Sequence, residues 1–259
     1  MRSSCKQCKS GNKLDFEIKM AFQPIVNLHS FEVYAYEALV RGPKGEGAGI
    51  VFEKVNNENQ YLFDQHCRVK AIETASKLNL RKFLSINFMP NAVYEPARCI
   101  QTTLKAAKAH NFPLDLIVFE FTESEEVVDK KHLVKIVQDY QKRGFLTAID
   151  DFGVGYSGIG LLCDVGVDIV KIDRQLIINI NDDPRRQRIL RGTYDLLEPV
   201  AKRIVVEGVE TAEELQCLYS MGFRYFQGYF FAKPALEALP EVDFTYVREV
   251  LGEKRYPRR

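Results

Sequence analysis

Polar side chains recur where short apolar segments of the chain end, and most of them are acidic. Seven such segments close on or carry a polar group: Glu37, Asn87, Glu120, the pair Asp150 and Asp151, Lys171, Glu207 and Gln227. Side chains two residues apart on a strand share a face. Glu37, Leu39 and Arg41 therefore point together, as do Ser85 with Asn87 and Lys171 with Asp173. If these segments are neighbouring strands, then five carboxylates, two carboxamides and one ammonium group meet at one rim.

A cluster of this composition requires cations, because carboxylates a few ångströms apart repel one another or become protonated. Oxygen ligands without an accompanying His or Cys favour magnesium or manganese over zinc, and adjacent Asp150 and Asp151 suit two metals that share a carboxylate. Two metals about 3.5 to 4 Å apart activate a water and stabilise the leaving oxygen in phosphodiester hydrolysis.

The opposing interpretation is structural, since a single acidic residue at a strand end is more often a helix N-cap or a loop anchor. We adopt that interpretation for the acidic residues of FTESEEVVD after Glu120, which offset a helix dipole, with Thr122 as the N-cap. Glu210 could bind a metal, but it is better interpreted as a loop anchor or as a cap for the helix that starts near Ala212. The joint pattern at the other strand ends is what favours a metal site.

The elements that position these groups follow from the periodicity of the sequence. β-branched and aromatic segments predict strands over 22–26, 33–40, 83–87, 116–121, 145–149, 168–172, 203–207 and 225–231. Longer amphipathic segments between them predict helices over 63–80, 99–112, 129–145, 186–199 and 212–223.

Strand then helix, repeated about six times, specifies parallel βαβ units and admits a barrel or a doubly wound sheet. The first two strands are separated by only about six residues, which is too short for a crossover helix, so they should form an antiparallel hairpin. We therefore expect an α/β fold, a TIM-like (β/α)8 barrel with one antiparallel strand near the N-terminus. The expected organisation is a tail over 1–14, the barrel over 15–245, and a helix end with a basic tail over 246–259.

Composition excludes several classes of protein. With 46% hydrophobic residues in 259, the chain can build a large core, so disorder is excluded as the dominant state. Lys and Arg number 36 against 35 acidic residues, so no global field recruits duplex nucleic acid or an anionic membrane. The first 15 residues lack the apolar region of a secretory signal, and no apolar run reaches the ~18 residues that span a bilayer. We expect a cytoplasmic protein.

The motifs together resemble a known family, the EAL domain of cyclic di-GMP phosphodiesterases. The signature stands as Glu37-Ala38-Leu39 in YEALVRG. The other matching motifs are QPIV, INFMP, FEFTES, IDDFGVGYSG, VKID, VEGVET and FQGYFFAKP, in this order over roughly residues 16–240. The resemblance implies hydrolysis of cyclic di-GMP to linear pGpG with magnesium or manganese, which lowers a bacterial second messenger.

The resemblance also implies a role for each residue. Glu37, Asn87, Glu120 and Asp150 would hold the first metal, while Asp150 would bridge to a second metal bound by Asp151 and Glu207. Lys171 would hold the attacking water, and because carboxylates favour its protonated form we interpret it first as an orienting charge and second as a general base. The residues implied to contact cyclic di-GMP are Gln23, Leu39, Arg41, Gln227 and Asp173, and Glu210 would secure the DFGVGYSG loop.

Two alternatives remain open at this stage. The barrel could serve as a catalytically silent cyclic di-GMP receptor or protein-interaction module, although every expected ligand position is filled.

The resemblance also favours a homodimer through DFGVGYSG and GLLCDVG, in which Ile159, Leu161 and Leu162 either bury against a second copy or pack within their own barrel. Regulatory input would come from the tail, from dimer assembly or from a partner protein.

The N-terminal tail carries Cys5 and Cys8 in a C-x2-C arrangement. One such pair supplies half of a tetrahedral zinc site, so an exposed tail without metal is the first interpretation. Two tails of a dimer, or His29 or His66 of the same chain, could complete a zinc site, and a redox pair is a third alternative.

Overall fold

A computed structural model describes residues 14–122, 129–154 and 158–253. Eight strands close into a barrel: β1 (Lys19–Asn27), β2 (Glu32–Arg41), β3 (Phe83–Asn87), β4 (Ile117–Thr122), β5 (Leu146–Phe152), β6 (Ile169–Ile172), β7 (Arg203–Val206) and β8 (Tyr225–Gln227). β1 is antiparallel to both neighbours, β2 and β8, whereas the other neighbouring strands of the barrel are parallel. The predicted barrel with one reversed strand near the N-terminus is confirmed.

Helices separate the parallel strands along the chain. They are α1 (Ala48–Phe52), α2 (Gln60–Lys77), α3 (Pro96–Ala109), α4 (Lys130–Lys142), α5 (Gly158–Asp164), α6 (Pro184–Leu197), α7 (Ala212–Ser220) and α8 (Phe244–Leu251). The five predicted helices correspond to α2, α3, α4, α6 and α7, with ends displaced by up to three residues. None of the helices in the described segments is long and apolar enough to cross a membrane.

Two helices, α1 and α5, were not predicted, α8 overlaps the helix end predicted to begin at residue 246, and a two-residue strand β9 (Ala235–Leu236) pairs with β1 outside the barrel. The predicted strand over 225–231 is shorter in the structure. β8 ends at Gln227, and the following apolar residues turn back so that Phe230 N donates to Val209 O. Helix α8 buries Val247 in the main core, so the core extends past residue 245.

The barrel interior is layered, and the layers explain why the polar groups collect at one end. A middle layer is apolar and consists of Ile25, Ala35, Val118, Ala148, Ile169 and Val205. Below it lie the rings of Tyr34, Phe83 and Tyr225, with the Arg203 guanidinium 5.0 Å from the Tyr34 ring centre. Two residues further along each strand, on the same face, stand the polar groups of the predicted site. The alternate residues, such as Phe119 and Phe121 of β4, pack outward against the helices.

Candidate active site

Lys171 is the centre of the site. Its side chain is 1% exposed, and its Nζ lies 2.7 Å from Glu207, 2.9 Å from Glu120, 3.1 Å from Asp150 and 3.4 Å from Glu37. These five residues come from five different strands or strand ends, β2, β4, β5, β6 and β7. One ammonium group therefore compensates four carboxylates at the carboxyl end of the parallel strands, where barrel enzymes place their active sites.

The carboxylates form two groups, each able to hold a metal ion. Glu37, Glu120 and Asp150 place one oxygen each within 4.8 Å of one another, and so do Asp150, Asp151 and Glu207. Asp150 belongs to both groups. This is the arrangement in which one carboxylate can bridge two cations.

A β-bulge brings the two adjacent aspartates to the same side. In a regular strand Asp150 and Asp151 would point to opposite faces. The β5–β6 pairing shifts register between Ile149 and Phe152, and Asp151 adopts a left-handed backbone with φ of 56°. The extra residue of the bulge turns the Asp151 carboxylate back toward Asp150 and Glu207.

Amide side chains orient Glu37. Asn87 Nδ2 donates to Glu37 Oε1 at 2.8 Å, and Gln227 Nε2 donates to Glu37 Oε2 at 2.7 Å. Gln227 also donates to Gln23 Oε1, and Gln23 in turn donates to the Ala232 carbonyl. Glu37, Gln23 and Gln227 are all buried, so this network fixes the carboxylate before any ligand arrives.

Burial and mutual repulsion perturb the titration of the cluster. Desolvation raises the pKa of Glu120 to about 8; Lys171 opposes the rise, and Glu37 and Asp150 add to it. Desolvation and the charge of Asp150 likewise raise the pKa of Glu207 well above its ordinary value. Burial alone would lower the pKa of Lys171, but the surrounding carboxylates, Asp150 foremost, hold it well above the ordinary value. The site therefore contains too much negative charge for one ammonium group.

The donor atoms suit hard divalent cations. Both groups offer carboxylate oxygens alone, and the Asn87 amide oxygen is available because its nitrogen is the donor to Glu37. Asp150 Oδ1 is buried, and within the described residues it accepts no hydrogen bond of good geometry although Lys171 Nζ lies 3.1 Å away. A buried oxygen in this situation favours a cation ligand.

A cleft of about 590 Å³ opens beside the carboxylates. Leu39, Phe52 and Met89 are among its apolar lining residues, and Asp150 and Asp151 form part of its polar end. A smaller cavity of about 270 Å³ meets the site from the other side, at Gln23, Gln227 and Tyr229. The carboxylate cluster thus stands between two concave surfaces.

The remaining candidate residues have local partners. Arg41 donates to the Val40 carbonyl at 2.8 Å and is half-buried, while Asp173 accepts from Gln175 N at 2.8 Å and caps a short 3-10 turn. Glu210 forms an ion pair with Arg174 at 2.8 Å, and Arg174 also donates to the Gly208 carbonyl. Glu210 therefore holds the loop after β7, and Thr211 rather than Glu210 caps α7.

Several sequence expectations lie outside the described residues. Cys5 and Cys8 fall in 1–13, the acidic residues after Thr122 fall largely in 123–128, and part of the DFGVGYSG loop falls in 155–157. Zinc at the two cysteines is supported by no residue of the described chain.

Two further features lie in the site region: Ser85, which the sequence predicted only to share a strand face with Asn87, and a buried ion pair that sequence reasoning missed. Ser85 donates to Glu120 from the same inward face of β3 as Asn87, two residues away. Arg68 and Asp64 form a fully buried ion pair on α2, beside the segment that follows Asn87. Their i, i+4 spacing is visible in the sequence, but it does not indicate burial, because the same spacing is typical of pairs on a solvated helix face.

Comparison with known proteins identifies a family model and several relatives that the chain matches. The model of the EAL domain matches residues 12–234. A blue light- and temperature-regulated antirepressor, BluF of Escherichia coli K12, is 30% identical over 223 residues, covering 86% of this chain and 55% of that protein. A probable cyclic di-GMP phosphodiesterase, PdeG of the same organism, is 33% identical over 229 residues, covering 84% and 45%. The chain spans about half the length of these curated relatives.

Solved structures agree in fold. A standalone versatile EAL protein from Vibrio cholerae O395, bound to c-di-GMP, is 52% identical with a TM-score of 0.87, covering 90% of this chain and 99% of that one. A manganese and cyclic di-GMP complex of BlrP1 from Klebsiella pneumoniae is 31% identical with a TM-score of 0.82, covering 89% and 59%.

Proposed function

The chain belongs to the EAL domain family, and from that premise we propose that it is a phosphodiesterase that opens one ester of cyclic di-GMP and releases linear pGpG. The observation that carries the proposal is the pair of carboxylate groups that share Asp150 around a buried Lys171. Relatives named as cyclic di-GMP phosphodiesterases, such as PdeG, support the same substrate.

We propose that two divalent cations, magnesium or manganese, bind the two groups. Glu37, Asn87, Glu120 and Asp150 would hold one cation, and Asp150, Asp151 and Glu207 would hold the other. When bound, such ions supply positive charge that lowers the pKa of a water and stabilises the leaving oxygen. The BlrP1 complexes with calcium and with manganese support a divalent cation at this kind of site.

Lys171 would contribute a fixed positive charge at the reaction centre. Its raised pKa keeps the ammonium protonated near neutral pH, so it would donate a hydrogen bond to the attacking water and hold that water in line with the phosphorus. A role as general base would first require the ammonium to lose a proton, which the surrounding carboxylates oppose.

The two cavities beside the cluster would receive the substrate. Leu39 would contact it from the larger cleft, and Arg41 would bind a phosphate oxygen through its fork of N–H donors once it leaves the Val40 carbonyl. Gln23 and Gln227 line the smaller cavity and would combine substrate contact with the orientation of Glu37. Asp173 would contact the substrate from the turn after β6.

A second candidate function follows from one relative. BluF is named an antirepressor, so a barrel of this family can serve in regulation. A catalytically silent cyclic di-GMP receptor would use the same cavities and would bind the dinucleotide without turnover. The complete set of carboxylates favours the enzyme over the receptor.

The deciding experiment is an assay of pGpG formation by the purified chain with magnesium, with manganese and with a chelator. The proposal expects pGpG with at least one metal and none with the chelator, and it expects Glu37→Ala and Asp150→Asn to abolish turnover. Binding of cyclic di-GMP without product under every condition would establish the receptor instead. Near wild-type turnover by a folded Glu37→Ala or Asp150→Asn variant would remove the two-metal assignment.

A further inference from the structure

The segment that carries Asn87 is fixed from behind by a buried charge cluster. Asn87 ends β3, and its side chain is exposed toward the cleft, where it donates a hydrogen bond to Glu37 but is little restrained by packing. The next two residues are restrained instead. Phe88 N donates to the Glu120 carbonyl at 2.8 Å, and Met89 N donates to the Asp64 carboxylate at 2.9 Å.

Asp64 is in turn held by Arg68, one turn further along α2. Arg68 Nη2 lies 2.7 Å from Asp64 Oδ2, and both side chains are at most 1% exposed. Arg68 Nη1 also donates to the Tyr140 hydroxyl of α4 at 2.8 Å. The guanidinium lies 5.3 Å from the ring centres of Phe88 and Phe119. One cation therefore fixes the acceptor of Met89 and packs on the ring of Phe88.

Stability does not account for this cluster. Removing two charges from water costs more than their attraction returns in many buried pairs, and apolar replacements of similar volume are often neutral or stabilising. The hydrogen bond from Met89 N, by contrast, is made to the side chain at position 64 and requires an acceptor there. The cluster therefore has a positional consequence that apolar packing would not reproduce.

We propose that Asp64 is a positioning residue that sets the affinity of the site for its divalent cation, because its hydrogen bond from Met89 N fixes the backbone of Phe88 and Met89 and, through it, the carboxamide of Asn87, while Arg68 compensates the buried charge of Asp64. The inference rests on the proposed function, because Asn87 matters here as a ligand. Partners that orient metal ligands typically change metal affinity 10- to 100-fold when they are removed.

The test compares two double variants of the whole chain. Asp64→Leu with Arg68→Met removes both charges and the acceptor for Met89 N, and places a larger apolar side chain at position 64. Asp64→Asn with Arg68→Met also removes both charges but keeps an amide oxygen as acceptor. Both avoid an unpaired buried charge, and thermal unfolding checks that they fold to similar stability.

Mn²⁺ titration of the metal-free proteins, followed by the electron paramagnetic resonance of free Mn²⁺, gives the affinities. We expect the leucine variant to bind at least 10-fold more weakly than wild type and the asparagine variant to stay within about threefold. Combined with Asn87→Ala, the leucine variant should lose nothing further, because it acts through Asn87. Equal affinities of the leucine and asparagine variants, or additive losses with Asn87→Ala, would overturn the inference.

Failure of the proposed function would be recognised by a different result, namely that the wild-type chain neither binds Mn²⁺ nor forms pGpG. The positioning role then has a readout without metal, the side-chain amide signal of Asn87 in a nuclear magnetic resonance spectrum. A single sharp pair of amide protons in wild type and in the asparagine variant, against broadened or multiple signals in the leucine variant, supports it. Identical signals in all three proteins would overturn it.

Discussion

At the scale of single residues, the site is organised by an imbalance of charge. Lys171 faces four carboxylates, and burial first, with the repulsion of neighbouring carboxylates, raises the pKa values of Glu120 and Glu207. Metal ligands must be deprotonated, so proton and metal compete for the same oxygens. The titration of these carboxylates can therefore be measured in the metal-free protein, and their part in turnover can be measured in the active one.

Replacing Lys171 by Met should separate binding from turnover. The variant keeps the length of the side chain and loses the charge that orients the attacking water, so turnover should fall about 100- to 10,000-fold. Binding of cyclic di-GMP, measured by calorimetry, should stay within about 10-fold of wild type. Lys202→Met is the matched control, because Lys202 is exposed and pairs with Asp168 away from the cluster. Parallel loss of binding and turnover would make Lys171 a ligand anchor instead.

The stability of the metal-free protein should decline as pH rises, and this decline should disappear when metal is added. Between the ordinary Glu value of 4.5 and the raised pKa of Glu120 at about 8, the folded metal-free protein retains a proton that the unfolded chain has lost. The free energy of unfolding should therefore fall as pH rises through this window. The raised pKa of Lys171 does not alter the slope, because the ammonium is protonated in both states below its ordinary value.

Thermal unfolding of the metal-free chain and of the chain with excess Mn²⁺, at pH 5.5 to 8.5, measures both slopes. Bound metal should remove the decline, and Mn²⁺ binding should release protons, as shown by a calorimetric enthalpy that depends on the buffer. Glu120→Gln is the matched variant, since it cannot titrate and should flatten the metal-free slope. A flat slope in the wild-type chain would contradict the raised pKa.

At the scale of elements, the sequence predicts where strands lie along the chain better than it predicts where a β-bulge interrupts one of them. The alternation in Val118, Phe119 and Glu120 shows which face of β4 is inward, and the short β1–β2 connection reveals the reversed strand. The bulge at Asp151 leaves no mark in hydrophobic periodicity, because it changes one dihedral angle rather than the residue pattern. Regular alternation could not bring Asp150 and Asp151 to one side.

The length of β8 was misjudged for a related reason. YFQGYFF is aromatic on both sides of Gln227 and Gly228, so its hydrophobic pattern does not locate the end of a strand. Gly228 does locate it, because a Cβ there would lie 2.0 Å from the Val209 carbonyl oxygen, closer than atoms can approach. The burial of the Arg68–Asp64 ion pair was not predicted either, because two charged residues one turn apart on a helix are usually a solvated surface pair.

The backbone of Asp151 should invert the usual ranking of Gly and Ala. In a regular strand Gly is less stable than Ala by about 0.5 to 1 kcal/mol. At a left-handed φ of 56° a Cβ costs about 1 to 2 kcal/mol, so Asp151→Gly should be more stable than Asp151→Ala in the metal-free protein. Chemical denaturation measures the difference, and Glu32→Gly against Glu32→Ala in β2 serves as the regular-strand control. The same ranking at both positions would argue against the bulge.

Gly228 should tolerate no side chain, because the loop after β7 crosses directly over it. Gly228→Ala should destabilise the protein by about 1 to 3 kcal/mol and displace Gln227, whose carbonyl accepts from Val209 N. Turnover should fall with it, since Gln227 orients Glu37. Gly192→Ala is the matched control, because Gly192 lies in α6 with open space around it and Ala should stabilise that helix by about 1 kcal/mol. Similar stabilities for the two variants would contradict the close approach.

At the scale of the whole molecule, the part of the barrel whose packing stabilises the fold is separate from the end that carries the carboxylate cluster. The middle and lower layers are apolar or aromatic, and the helices pack on the outer faces of the strands. That packing supports a carboxylate cluster at the upper end that opposes folding through its own repulsion. Bound cations should therefore stabilise the entire chain by mass action, since they bind the folded state and not the separated carboxylates.

Assembly into a homodimer, which we propose from the family resemblance, can be tested on α5. Leu161 of that helix is 1% exposed and packs in its own barrel, whereas Ile159 is 55% exposed and is therefore the residue available to a second copy. We expect sedimentation at micromolar concentration to give about twice the chain mass of 29.7 kDa, and Ile159→Asp to give a monomer.

The matched control for Ile159→Asp is Ile50→Asp, a change to an equally exposed isoleucine, 51% exposed, on α1. If dimerisation supports the site through the loop between Asp151 and α5, then the Ile159 variant should also bind Mn²⁺ more weakly, while the Ile50 variant should behave as wild type in both measurements. A monomeric wild-type chain with full turnover would remove the dimer from the mechanism. Monomerisation by Ile50→Asp instead would move the interface to the side of the barrel that carries α1.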